Sequence, residues 1–211
     1  MLDVDQASEL KAAFRRGNWT NSEIKRLCEG DILARMKQVI CGYAEVVFTS
    51  ILKFVSTVVV PATSTQFVAK DKFVVDTSAT ATVKISHLGE DFRTWYLGKT
   101  EEPLPEQVLR YAKLRKASLN TSIIAELGGE EKAETTLSEL YLLMEEQKNG
   151  KDGPLLTSTY WWNIFYIKDV QGELRSVGVN WCSGGWDVGS VSVGSQSSWA
   201  DVDQVFYRDS C

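Results

Sequence analysis

A chain of 211 residues with 44% hydrophobic and 24% charged residues can bury a sizeable core without disulfide or metal staples, and it excludes long disorder. Its formal charge of -5 and isoelectric point near 5.1 exclude a surface built throughout to neutralise phosphates.

Residues 5–16 read as a helix, with Leu10, Ala13 and Phe14 on one stripe and Arg15, Arg16 and Gly17 at its end. Thr20 or Asn21 caps a second helix, where Glu23 completes a capping box and Ile24, Leu27 and Cys28 form the apolar stripe. After Glu29-Gly30-Asp31 a third helix carries Ile32, Leu33, Met36, Val39 and Ile40 and stops near Gly42. These three set residues 1–42 apart as a helical module.

From residue 43 the composition changes. The β-branched and aromatic run 46–60 predicts a strand, with a buried helix as the alternative that such a run leaves open. Residues 67–76 and 83–86 predict further strands, with Pro61 as a break. A helical turn is expected over 92–97, and Pro105 opens a helix carrying Val108, Leu109 and Ala112. Residues 122–127 and 130–148 predict two helices parted by Gly128-Gly129, the second long, with Ala133, Leu137, Leu140, Tyr141 and Met144 on one stripe. Four final strands, 162–168, 174–181, 186–193 and 205–207, turn at 170–173 and 183–185. The predicted class is α+β: the helical module 1–42, then a mixed body 43–211 whose C-terminal antiparallel meander, about 160–208, packs on the long helix.

Long runs of the wording are distinctive: LDVDQASELKAAFRRGNWTNSEIKRLCEGD from Leu2, VKISHLGEDFRTWYLGKTEEP from Val83, IIAELGGEEKAETTLSELYLLMEEQKNG from Ile123 and NIFYIKDVQGELRSVGVNW from Asn163. Over nearly its whole length the chain resembles an uncharacterised protein family that recurs in candidate-phyla bacterial genomes reconstructed from environmental samples. The resemblance implies a bacterial protein and brings no activity, cofactor or catalytic residue with it.

Candidate sites are few. Five of the seven tryptophans lie in the last quarter of the chain, and Trp181, Trp186 and Trp199 could form a platform for a sugar or another planar ligand, or the inner face of the sheet. Lys25, Arg26, Arg35 and Lys37 would face phosphates if the second and third helices were a helix-turn-helix. Against that, Lys25 occupies a position that is usually small and buried in the motif, and Glu29 and Asp31 would approach a polyanion. The pairs Glu101-Glu102, Glu130-Glu131 and Glu145-Glu146 read as solvated faces.

Cys28, Cys41, Cys182 and Cys211 show no C-x-x-C spacing, and His87 is the one histidine, so neither a metal nor a cofactor is expected. A Cys/His enzyme would need one of those thiols within hydrogen-bond reach of His87. Asp3 and Asp5 follow Met1 where a secretory signal would be basic, and the apolar run 46–60 is short and interrupted, so a cytoplasmic protein is expected. The expected role is a non-enzymatic binding or accessory protein whose N-terminal helices contact a protein partner or a second copy. A DNA-binding regulator is the first alternative and the Cys/His enzyme the second.

Overall fold

The computed structural model describes residues 4–45 and 50–208. The chain divides into two compact units, Met1–Thr49 and Ser50–Cys211. The first contains α1 (Val4–Arg16), α2 (Asn21–Leu27) and α3 (Ile32–Ile40). Its second helix starts as the sequence dictates: Thr20 Oγ1 accepts from the Glu23 N–H at 3.3 Å while the Glu23 carboxylate accepts from the Thr20 N–H at 2.7 Å. Among the described residues of this unit, Leu27 is the one buried side chain.

The body is α+β. It runs β1 (Leu52–Val60), β2 (Phe67–Val68), α4 (Ala69–Lys72), β3 (Ile85–Leu88), α5 (Glu90–Tyr96), β4 (Thr100–Glu101), β5 (Gln107–Leu114), α6 (Asn120–Leu127), α7 (Glu130–Ala133), β6 (Glu134–Thr135), α8 (Leu137–Glu146), β7 (Asn163–Lys168), β8 (Leu174–Cys182), β9 (Gly185–Ser192) and β10 (Gln204–Arg208). One eight-stranded mixed sheet has the order β1-β5-β10-β7-β8-β9-β3 with β6 beside β7, and β2 pairs β4 separately. The contacts of β10 with β7, β3 with β9 and β6 with β7 are parallel.

Two apolar cores follow from strand alternation. On one face Phe165 and Ile167 of β7 join Val177, Val179, Trp186, Val188 and Phe206, covered by Phe92 and Tyr96 of α5 and Leu137, Leu140 and Met144 of α8. On the other face Ile164 and Tyr166 join Ala112 and Val205 under Ile123 and Leu127 of α6. Because both faces are covered, β7 is apolar at consecutive positions rather than at alternate ones.

Several predicted elements are corrected. The 67–76 strand is a two-residue strand followed by a helical turn, Ala69–Lys72, because Phe67, Ala69 and Phe73 are buried on one side of that turn while Lys70, Asp71 and Lys72 face water. The helix after Pro105 is β5, which lies between β1 and β10 and so exchanges hydrogen bonds on both edges; tertiary pairing overrides its helical spacing. The long helix 130–148 is two short helices separated by β6, since Thr136 starts α8 as an N-cap in a capping box with Glu139. The fourth strand of the meander does not continue it: β10 crosses back to pair with β5 and β7. Of the 46–60 strand, residues 52–60 form β1 and residues 46–49 lie outside the described residues. Glu101 is not solvated; its side chain is 8% exposed and caps α8.

The β7–β8 turn shows how charge is built into this fold. Asp169 accepts from the N–H groups of Gln171 and Glu173 at 2.8 and 3.0 Å and from Arg175 Nε at 3.1 Å. Burial opposes its charge, but the Glu173 and Gln171 N–H groups and the Arg175 guanidinium outweigh burial and hold the carboxyl below its ordinary 3.8. A depressed folded-state value means stability that is present above the unfolded value and lost as pH falls through the folded one. Asp169→Asn is therefore expected to lower the thermal midpoint at neutral pH and to flatten its fall below about pH 4. Parallel acid limbs for the two proteins would refute this.

Candidate functional site

The candidate site grows from the β8–β9 hairpin. Ser183 and Gly184 form its two-residue turn with φ values of 54° and 81°, the double positive φ that suits the strand twist. That turn fixes the register, setting Trp181 opposite Trp186, Asn180 opposite Asp187 and Gly178 opposite Gly189.

The three candidate platform tryptophans do not share a surface. Trp186 is 0% exposed in the core with Val177 and Val188, and Trp181 meets its ring edge-on at 5.3 Å on that same face. Trp199 belongs to the opposite face, half-buried, with its ring centroid 6.3 Å from Trp162. A platform made of Trp181, Trp186 and Trp199 is therefore replaced by a Trp162–Trp199 pair.

This pair is closely held. Trp199 exchanges backbone hydrogen bonds with Ser118 at 3.0 and 3.1 Å, and its Nε1 donates to Asn120 Oδ1 at 2.7 Å. Asn120, fully buried at the start of α6, also accepts from the Tyr166 hydroxyl at 3.0 Å. Asp203 ties the two tryptophan segments together, accepting from the Trp162 N–H at 2.9 Å and from the Ala200 N–H at 2.8 Å. Burial is the main reason that its carboxyl titrates above the usual range.

Beneath the rings lies Gly178, with Gly189 opposite it on β9. A Cβ on Gly178 would stand 2.9 Å from Trp199 Cη2 and 3.0 Å from Trp162 Cε3, so only glycine lets both indoles rest on the sheet. A Cβ on Gly189 would meet nothing within 4 Å. Over Gly189 opens a cavity of about 250 Å³ bordered by Trp162, Trp199, Val191, Ser197 and Ser198. Among the described residues no charged side chain lines it.

No family model, no curated protein and no solved structure matches this chain.

His87 lies beside the same sheet face, exposed, with Nδ1 3.0 Å from Asp187 Oδ1. Cys182 Sγ lies 3.5 Å from Ser183 Oγ, and no described thiol is hydrogen-bonded to the imidazole. Among the described residues no cluster of three His, Cys, Asp or Glu side chains is arranged to hold a metal, and no helix is long and apolar enough to cross a membrane.

In the N-terminal unit Lys25, Arg26, Arg35 and Lys37 are all exposed. Arg35 and Lys37 stand two residues apart on α3, so at about 100° per residue they project to different sides of the helix. Arg26 borders a cavity of about 400 Å³ together with Trp19, Glu23, Leu27, Ile32 and Met36. The four cations are not gathered on one phosphate-facing surface.

Trp162, Gly178, Gly189 and Asn120 are absent from the sequence-based candidates. A signal for Gly178 was present, since glycine inside a strand marks a close approach; its partner Gly189 has open space, and their pairing follows from the two-residue turn that the structure shows. Nothing local marks Asn120, whose partners come from 46 and 79 residues away.

Proposed function

We propose that this is a non-enzymatic binding or accessory protein of the cytoplasm, in which the α+β body is the scaffold and the N-terminal helices dock onto a protein surface. The observation that carries the proposal is the imbalance within Met1–Thr49. Leu33, Ile40 and Tyr43 are 53%, 80% and 85% exposed, and Trp19, Ile32 and Met36 are also exposed, while Leu27 alone among the described residues there is buried. A helical unit with so small a core needs a second apolar surface to stabilise it. Residues 1–49 carry seven basic and seven acidic side chains, so apolar contact rather than phosphate neutralisation is the favoured driving force. The unpaired Cys28, Cys41 and Cys182 support a reducing compartment.

A second copy of the chain is the partner to test first, because a self-complementary patch closes as a two-fold dimer. Native mass spectrometry of the full chain over a concentration series is expected to show a dimer that Leu33→Glu with Ile40→Glu converts to monomer. A monomer that binds an apolar dye through these helices would mean that the protein partner is a different chain. A monomer that leaves the dye dark would overturn the docking reading.

A further inference from the structure

We infer that the cavity over Gly189 is a binding site for one neutral, planar aromatic ring. The paired glycines leave a gap two residues wide in the side-chain layer of this sheet face. Half of the gap, over Gly178, is filled by the indoles of Trp162 and Trp199. The other half is open, and a flat ring placed there would rest on the Gly189 backbone as the indoles rest on Gly178, with their ring faces and edges as its walls.

Size and chemistry narrow the ligand. A volume of about 250 Å³ falls just below the range of drug-sized pockets and suits one ring system. A formal charge on the ligand would be desolvated with no counter-charge among the described residues, none of whose Asp, Glu, Lys or Arg side chains lines the cavity. A sugar is disfavoured too: its hydroxyls need several fixed polar partners, and among the described residues the lining side chains offer the Trp162 indole N–H and the hydroxyls of exposed Ser197 and Ser198, with Ser190 Oγ already donating to the Ser176 carbonyl at 2.9 Å. An aromatic ring makes no such demand. The walls are preorganised by Asn120, Asp203 and Ser118, so binding orders little that is not already ordered.

The ring could be a free small molecule or an aromatic side chain on a partner peptide. The test is amide and indole N–H NMR of the full chain titrated with indole, with a short uncharged peptide containing one tryptophan, and with glucose. Indole is expected to shift the Trp162 and Trp199 indole N–H signals and the Gly189 amide, and glucose is expected to leave them unchanged. Tighter binding of the peptide would assign the ring to a partner, and tighter binding of indole would assign it to a free molecule. Gly189→Val fills the cavity at a strand position with open space and is expected to weaken indole binding at least tenfold without lowering the thermal midpoint. Gly189→Ala, adding one methyl, is expected to weaken it partly and serves if the valine protein does not fold. Unchanged affinity in the folded variant, failure of both ring probes, or equal shifts with glucose would overturn the inference.

Discussion

Replacing Trp186 with alanine is expected to remove about 3–5 kcal/mol from the unfolding free energy of the body, because it deletes one of the largest fully buried side chains and the surrounding sheet can only partly close the void. For a chain of this size that is a fall in the thermal midpoint on the order of 10 °C. Trp181 loses its edge-on partner at the same time. Trp186→Phe is expected to be much milder, since it keeps an aromatic ring and removes an indole N–H that has no hydrogen-bond partner among the described residues. Circular dichroism melts of the three proteins decide the matter. An alanine variant that melts with the wild type would return Trp186 to the surface and sink the core assignment.

The contrast between Trp186 and Trp199 also shows what was legible in the sequence. A tight turn within Ser183-Gly184-Gly185 can be read directly, but not its two-residue length: Gly185 pairs with Cys182 as the first residue of β9, and that sets which residues pair across β8 and β9. Which face of that hairpin would be buried could not be read, because helices cover both faces of the sheet and polarity no longer distinguishes inside from outside. The same two-sided burial hid the role of β5, whose Val108, Leu109 and Ala112 satisfy a helical spacing while the backbone is claimed by β1 and β10. Capping chemistry was more readable. Thr20 with Glu23 marked the start of α2. Thr136 with Glu139 carries an equivalent signal, and it breaks the apparent long helix where the apolar stripe alone runs straight through. The aromatic cavity was legible only in outline: the hairpin that carries its glycines follows from the turn, whereas their register rests on Gly185 joining β9, and Trp162 and Asn120 are fixed by long-range contacts that no local pattern encodes.

That second capping box leads to the other large expected effect, at the N-terminus of α8. Two carboxylates converge there. Glu101 accepts from the N–H groups of Leu137 and Ser138 at 3.0 and 2.9 Å, with Lys99 Nζ at 3.3 Å, and Glu139 accepts from the Thr136 N–H at 2.8 Å and from Arg208 Nη2 at 3.0 Å. The unpaired N–H groups and positive end of a helix favour such anions. But the Glu139 side chain is 0% exposed, and its only ion-pair partner among the described residues is Arg208 on β10, 35% exposed. Arg208→Ala therefore leaves a buried carboxylate without a cation and is expected to lower stability by about 3–5 kcal/mol, a cost that comes from the stranded charge rather than from the lost contact. Adding Glu139→Gln in the same protein is expected to recover a substantial part, since a neutral amide oxygen can still accept the Thr136 N–H. Urea unfolding of the wild type, Arg208→Ala and the double variant measures the recovery. Equal midpoints for the single and double variants would mean that Arg208 acts through packing on β10 and not by neutralising Glu139.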